Sequence, residues 1–415
     1  MSTGTTDAAG AQEVRALESE HLLQVYKRLP VVLTRGEGSY VHDADGRRYL
    51  DFLSGIGVAS LGHAHPGLAA ALADQARTLV HTSNLYFHPL QGQVGARLAA
   101  LSGLPRAFFC NSGTESVEGC LKFARRYWHT RGETGRTRIV ALERSFHGRT
   151  LGSLSATWEP GYRRPFEPLL PGVDFVSPTD PGALEGAVGP DVAAIILEPI
   201  QGEGGVWPLS PAFAEAVNAA CERTGALLIA DEIQCGLGRT GRPFHSATLG
   251  LRPDLMALGK ALGAGMPVGA ILMSQAVADA IAPGDHGTTY GGNLLACRAA
   301  LVFLDALEQG GLERVRAAGA RLADGLEALS KRYPIVTDVR GAGLMRGFEM
   351  PEAAATRAVE LALAQQLLVN RTAGRVVRLL PPLNVSDAEI DEGLQILDRV
   401  LDQVVSEAPK PQDPQ

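Results

Sequence analysis

The chain alternates short apolar runs with stretches of helical periodicity. IVALE at 139–143, VDFV at 173–176, AAIILEP at 193–199, ALLIAD at 226–231 and GAILMS at 269–274 are nearly continuous in apolar residues. Such runs predict buried strands of a sheet covered on both faces. Segments 114–130, 211–224 and 293–309 carry helical spacing between or after them. This alternation predicts an α/β fold with a large, mainly parallel sheet. After Gly310 the pattern changes. LERVRAAGARLADGLEALSKRY places Leu312, Val315, Leu322, Leu326 and Leu329 on or near one helical face. Short strands follow around Thr337–Val339, Gly347–Glu349 and Val376–Leu380, then a helix from near Asp387 to near Val404. These elements predict a smaller α+β domain. In GSYVHDADGRRYLDF, the tetrapeptide DADG between two β-like runs signals a hairpin.

The expected organisation is an N-terminal segment at 1–55, a large domain at 56–310, a small domain at 311–405 and a tail at 406–415. The first dozen residues and EAPKPQDPQ are small, polar or proline-containing, which predicts disorder at both ends. There is no internal repeat.

Composition excludes several classes of function. The 415 residues are 45% hydrophobic and 20% charged, as in an ordinary soluble enzyme, and the net charge is −7. No basic stripe with interleaved aromatics points to nucleic acid. No run of ~18 apolar residues points to a membrane span. The N-terminus has neither a basic start nor an apolar core, so no secretory signal is expected. The five cysteines (Cys110, Cys120, Cys221, Cys235 and Cys297) include no CxxC pair, which predicts free thiols in a reducing cytoplasm.

Lysine usage changes the picture most. Of 38 basic residues only five are lysines: Lys27, Lys122, Lys260, Lys331 and Lys410. Arginine cannot act as a neutral amine nucleophile, whereas lysine does so when its surroundings lower its pKa. Lys260 is followed by small residues and glycines in ALGKALGAG, which permit close approach of a ligand. It is the candidate for a covalent Schiff base. Asp231 closes the run ALLIAD, and the carboxyl end of a strand in an open α/β sheet is where ligands bind. NSGTES at 111–116 opens a predicted helix, where free N–H groups and the helix dipole favour an anion. Taken alone, NSGTES would read as an ordinary Ser/Thr cap, and Asp231 as a turn-capping residue.

Six motifs in one order carry a resemblance: NSGTES (111–116), SFHGRT (145–150), LEPIQGEGG (197–205), DEIQCGLGRTG (231–241), ALGKALG (257–263) and HGTTYGGN (286–293). From about Tyr26 to about Val400 the chain resembles the class III aminotransferases, which use pyridoxal 5′-phosphate (PLP), and among them most the acetylornithine-type members. The resemblance implies the PLP-dependent transferase fold (fold type I), with the N-terminal segment packed on the small domain. It implies that Lys260 holds the cofactor aldehyde and later moves a proton. Asp231 would face the pyridine nitrogen and keep the ring an electron sink. Gln234 would face the ring oxygen, and Phe146 would stack on the ring. Ser112, Gly113 and Thr114 would take the phosphate, joined by Thr289 from a neighbouring subunit, which implies a homodimer with shared sites. Arg149 matches a substrate-carboxylate residue and Tyr26 a substrate contact, while Glu198 would support the Asp231 side of the cofactor. Glu203 and Arg378 match a switching pair, closed for the ω-amino donor and open for glutamate. A partly exposed pair of that kind opens for ~1 kcal/mol or less.

The implied reaction moves the δ-amino group of N-acetylornithine to 2-oxoglutarate. Ile56, where ornithine-type members often carry an aromatic, leans away from free ornithine. ESVEG at 115–119 and Cys235 depart from the acetylornithine pattern. They leave ornithine, succinylornithine, 4-aminobutyrate and carrier-bound aminoadipate semialdehyde open as substrates. GLGRTG at 236–241 fits GxGxxG by spacing, the fingerprint of a nicotinamide oxidoreductase, but Pro243 follows where a helix should open. His63 and His65 have no nearby acidic or Cys partner, so a turn or pocket role is expected. His147 is expected in the pocket.

Overall fold

The computed structural model describes residues 10–407. Three sheets and a small hairpin organise them. Strands β1 (Leu33–Glu37), β2 (Tyr40–Asp43) and β3 (Arg48–Asp51) open the chain. The main sheet uses β4 (Arg106–Cys110), β5 (Arg138–Leu142), β6 (Val173–Val176) and β7 (Val192–Leu197). After the hairpin β8 (Ile200–Gln201) and β9 (Trp207–Pro208), it is completed by β10 (Leu227–Asp231), β11 (Leu255–Leu258) and β12 (Gly269–Met273). The C-terminal part adds β13 (Asp338–Ala342), β14 (Met345–Glu349), β15 (Leu367–Leu368), β16 (Asn370–Thr372) and β17 (Val376–Leu379).

The seven-stranded sheet runs β4-β12-β11-β10-β7-β5-β6. Neighbours are parallel except at β12, which is antiparallel to both β11 and β4. GAILMS is therefore the one reversed strand of a mainly parallel sheet. The reversal follows from chain length: a short connection can return only antiparallel, whereas a parallel return needs a crossover of a dozen or more residues. Alternate residues of one strand enter different cores. Ile196 and Ile229 pack with Val117 and Phe123, whereas Ile195, Leu197 and Leu228 pack with Phe213 and Val217. Both faces are thus covered, as the apolar runs predict.

Two further strands, β4 and β11, were not expected from periodicity, nor were helices Pro66–Thr78, Gln91–Ser102 and Glu352–Ala364. The helix expected at 293–309 ends at Ala306, and a π-turn at Leu307–Gly311 leads into helix Leu312–Arg332. That helix buries Val315, Leu322, Leu326 and Leu329 as the pattern requires. The DADG hairpin forms between β2 and β3, with Gly46 at φ +82° and the Asp43 carboxylate accepting from the amides of Asp45 and Arg47. β3 pairs in parallel with β15, tying the N-terminal segment to the C-terminal part of the chain. The stretches expected to be disordered lie mostly outside the described residues. Where they do not, Ala11 and Gln12 open helix Ala11–His21, and Ser406 and Glu407 close helix Asp387–Glu407.

Candidate active site

Asp231 is the last residue of β10 and pairs in register with Ala257 of β11. Lys260 lies two residues beyond the end of β11, at φ +41°. The strands thus deliver a carboxylate and an amine to the carboxyl edge of the sheet. Glycine makes the approach close. A Cβ on Gly259 would lie 3.2 Å from the Cα and N of Gly113, and one on Gly113 would lie 2.9 Å from Ile233 Cδ1. The helix Gly113–Thr130 therefore starts directly against Lys260. Its first N–H groups have no intrahelical acceptor. Gly113, Thr114, Phe146, His147, Arg149, Glu198, Asp231, Ile233, Gln234 and Lys260 line one cavity of ≈ 280 Å³.

Asp231 is buried, and its Oδ2 lies 2.7 Å from His147 Nδ1. A carboxylate only accepts, so the imidazole carries its proton on Nδ1 and donates. The Ile233 amide donates to Asp231 Oδ1 at 3.1 Å. His147 Nε2 is buried with no partner. Sequence reasoning put His147 in the pocket but did not pair it with a residue 84 positions away; its place beside Phe146 in SFHGRT was the available signal. Glu198 accepts from the amides of Phe146 (2.9 Å) and Gly202 (3.0 Å), joining the aromatic turn to the loop that carries Glu203. Burial pushes the Glu198 carboxyl above the usual carboxylate range, with the charge of Asp231 adding to it. Burial lowers the Lys260 amine, against opposing attraction from Asp231 and Glu203.

Thr114 Oγ1 contacts Ser153 Oγ (2.6 Å) and Thr150 Oγ1 (3.0 Å) and accepts from the Arg149 amide (3.2 Å). Ser112 caps the helix instead of lining the cavity: its Oγ accepts from the Glu115 amide at 3.3 Å. Arg149 is exposed, with its guanidinium 3.5 Å from the centroid of Tyr162. Gln234 accepts from Arg378 at 3.1 Å.

Glu203 borders a second cavity of ≈ 670 Å³, which shares Phe146 with the first. Its Oε1 accepts from Arg378 Nη1 at 2.5 Å. Arg378 is fully buried while the Glu203 side chain is 36% exposed. The expectation of a weak, partly exposed pair therefore needs correction. A guanidinium without water depends on its protein acceptors, and losing its anion costs several kcal/mol in a fully buried pair. Burial pushes the Glu203 carboxyl up, but Arg378 outweighs it and holds the group below the usual range.

Two expected site residues are not brought to either cavity. Thr289 is exposed and lines a separate recess with Cys110, Asn111, Glu115 and His286. Tyr26 is 74% exposed. The other motifs find plain roles. His63 pairs with Asp51 (2.8 Å), and His65 Nδ1 caps helix Pro66–Thr78. The GLGRTG loop opens no helix; its buried Arg239 donates to the Leu344 carbonyl, and its backbone accepts from the Leu344 amide. All five cysteines are free. Among the described residues no helix is long and apolar enough to cross a membrane.

Comparison with known proteins agrees with this geometry. The acetylornithine aminotransferase of Gloeobacter violaceus is 46% identical over 383 residues, spanning 92% of this chain and 96% of the relative. That of Methanocaldococcus jannaschii is 45% identical, spanning 94% and 98%. The ornithine aminotransferase of Toxoplasma gondii, whose structure shows partial occupancy of PLP at the active site, superimposes with TM-score 0.91 at 33% identity over 95% of each chain. The family described as aminotransferase class-III matches residues 23–401. With the amine of Lys260, the carboxylate of Asp231 and a helix N-terminus facing one cavity, the chain belongs to the class-III aminotransferases, which are PLP-dependent enzymes.

Proposed function

We propose that this enzyme moves the δ-amino group of N-acetylornithine to 2-oxoglutarate, giving N-acetylglutamate semialdehyde and glutamate. The observation that carries the reading is the Glu203–Arg378 pair beside the cavity of Lys260 and Asp231. Such a pair offers a neutral wall to one substrate and a cation to the other. Identity adds weight: 46% to an acetylornithine aminotransferase against 33% to an ornithine aminotransferase.

The residues present fit PLP. The amides that open helix Gly113–Thr130, with the Thr114 hydroxyl, suit a phosphate. Phe146 and Ile233 offer apolar walls, and Gln234 a polar edge. Asp231, held by His147 and Ile233, provides a fixed negative charge. PLP, when bound, supplies an electrophilic carbonyl and an electron sink. Lys260 supplies the rest: an amine with a lowered pKa is neutral more often, and so serves as nucleophile and then as proton carrier at the substrate carbon. Arg149 takes the far carboxylate of N-acetylornithine. Arg378, once released from Glu203, takes the α-carboxylate of glutamate by bidentate contact.

The same reading makes the enzyme a cytoplasmic homodimer. Leu22, Leu23, Val25, Tyr26 and Leu29, with Leu85, Tyr86 and Phe87, are exposed apolar side chains of the kind that mark a protein interface. A second copy there would bring Thr289 to the partner's phosphate site and Tyr26 to a substrate. The three-part division at 1–55, 56–310 and 311–405 belongs to this proposal. The test is a panel of ω-amino donors with 2-oxoglutarate. N-acetylornithine should give the highest kcat/KM; a higher value for ornithine, succinylornithine or 4-aminobutyrate would replace the assignment.

A further inference from the structure

The strand β16 touches both members of the Glu203–Arg378 pair. Asn370 and Thr372 are two residues apart, so their side chains leave the same side of the strand. Arg371, between them, turns the other way to pair with Glu352 at 2.9 Å. Asn370 is in register with Arg378 of β17, and its Oδ1 accepts from Arg378 Nε at 3.2 Å. The Thr372 hydroxyl donates to the Glu203 carbonyl at 2.6 Å and lies 3.5 Å from the Glu203 carboxylate. One side chain thus holds the cation and the other the backbone of the anion.

The loop that carries Glu203 is held at a second point. Arg340 Nε donates to the Gly205 carbonyl at 2.8 Å, and its guanidinium lies 3.6 Å from the Trp207 ring centroid. With its backbone fixed at both points, Glu203 separates from Arg378 by side-chain rotation rather than by movement of the loop. When it does so, the Asn370 and Gln234 oxygens stay on the guanidinium. They are neutral acceptors, so they orient Arg378 without neutralising it.

From this geometry we infer that Asn370 and Thr372 are positioning residues that set the balance of the switch from opposite sides. Thr372 favours the closed pair by keeping Glu203 within reach, and Asn370 favours the open state by keeping Arg378 aimed at an incoming carboxylate. The inference rests on the switching role proposed above. It requires that loss of the two side chains moves the enzyme in opposite directions, which general structural damage does not do.

The test compares cofactor-loaded wild type, Thr372→Val, Thr372→Ser, Asn370→Ala and Glu203→Gln in single-turnover half-reactions with N-acetylornithine and with glutamate. One ordinary hydrogen bond corresponds to a change of about five-fold. Thr372→Val should raise the glutamate-to-acetylornithine rate ratio about five-fold, and Thr372→Ser should restore it. Asn370→Ala should lower the ratio by about the same factor. Calorimetric affinity for glutarate, an unreactive dicarboxylate, should move likewise: tighter for Thr372→Val and weaker for Asn370→Ala. If Glu203→Gln shifts the ratio but the β16 variants leave it unchanged, or move it in the same direction, the positioning roles are overturned and the switch stands. If Glu203→Gln itself leaves the ratio unchanged, the switch and its positioning residues fall together.

Discussion

Replacing Glu203 with Gln removes the only carboxylate that contacts Arg378 among the described residues while keeping the shape of the side chain. Breaking a fully buried pair by deleting one partner costs about 3–5 kcal/mol. Three features reduce that figure here. Glu203 is 36% exposed, so water reaches its side. The Gln234 and Asn370 oxygens remain. A Gln oxygen at position 203 still accepts from Arg378. About 2 kcal/mol is a fair value for the charge lost, taken below the buried-pair range. In wild type, a glutamate carboxylate must displace Glu203 to reach Arg378, and in the variant it need not. At about 1.4 kcal/mol per ten-fold, the glutamate half-reaction should gain roughly 30-fold relative to that with N-acetylornithine. Stopped-flow absorbance under single-turnover conditions reads the two half-reactions separately. An unchanged ratio would refute the reasoning, because an anion that masks nothing has nothing to release.

The other predictions follow from the same site. Lys260→Ala should abolish steady turnover while retaining PLP non-covalently, and borohydride reduction of wild type should place the adduct on Lys260; label on Lys122 or Lys331 would reject the assignment. Asp231→Asn should bind PLP yet transaminate at least ten-fold more slowly, because a fixed charge is lost where chemistry needs it; wild-type kcat would reduce Asp231 to a turn residue. Gly113→Ala must displace Ile233 or the helix start, since its Cβ would lie 2.9 Å from Ile233 Cδ1, and equilibrium dialysis should show weaker cofactor binding with the fold intact. Mixing Lys260→Ala with Thr289→Ala protein should restore activity through heterodimers that hold one complete site, whereas an active monomer in sedimentation would exclude the shared arrangement.

What the sequence revealed follows from how local each signal was. Asp231, Gln234 and Lys260 sit in contiguous motifs whose strand–turn context is itself local, and the structure brings them to one cavity with Gly113, Thr114 and Phe146. The His147–Asp231 contact was invisible because it joins strand ends that become neighbours only when the sheet forms. Asn370 and Thr372 lie on a three-residue edge strand too short to show periodicity. RAFFC and LMAL were missed as strands for the same reason. The helices at 66–78 and 91–102 bury only two or three side chains each, so their apolar spacing is diluted by alanine and glycine. Thr289 and Tyr26 were assigned through a second subunit, and in one chain they lie away from the cavity.

The pairing of β3 with β15 bears on the order in which the chain is made. β3 presents one edge to β2 and the other to Leu367–Leu368. During synthesis at roughly 5–20 residues per second, that second edge waits for roughly 300 more residues, or about 15–60 s. An open strand edge recruits other strands, so the nascent chain is most prone to aggregate in this interval. A protein truncated before Leu367 would keep the vulnerability permanently, and its yield in soluble form should fall even though every residue of the main sheet is present.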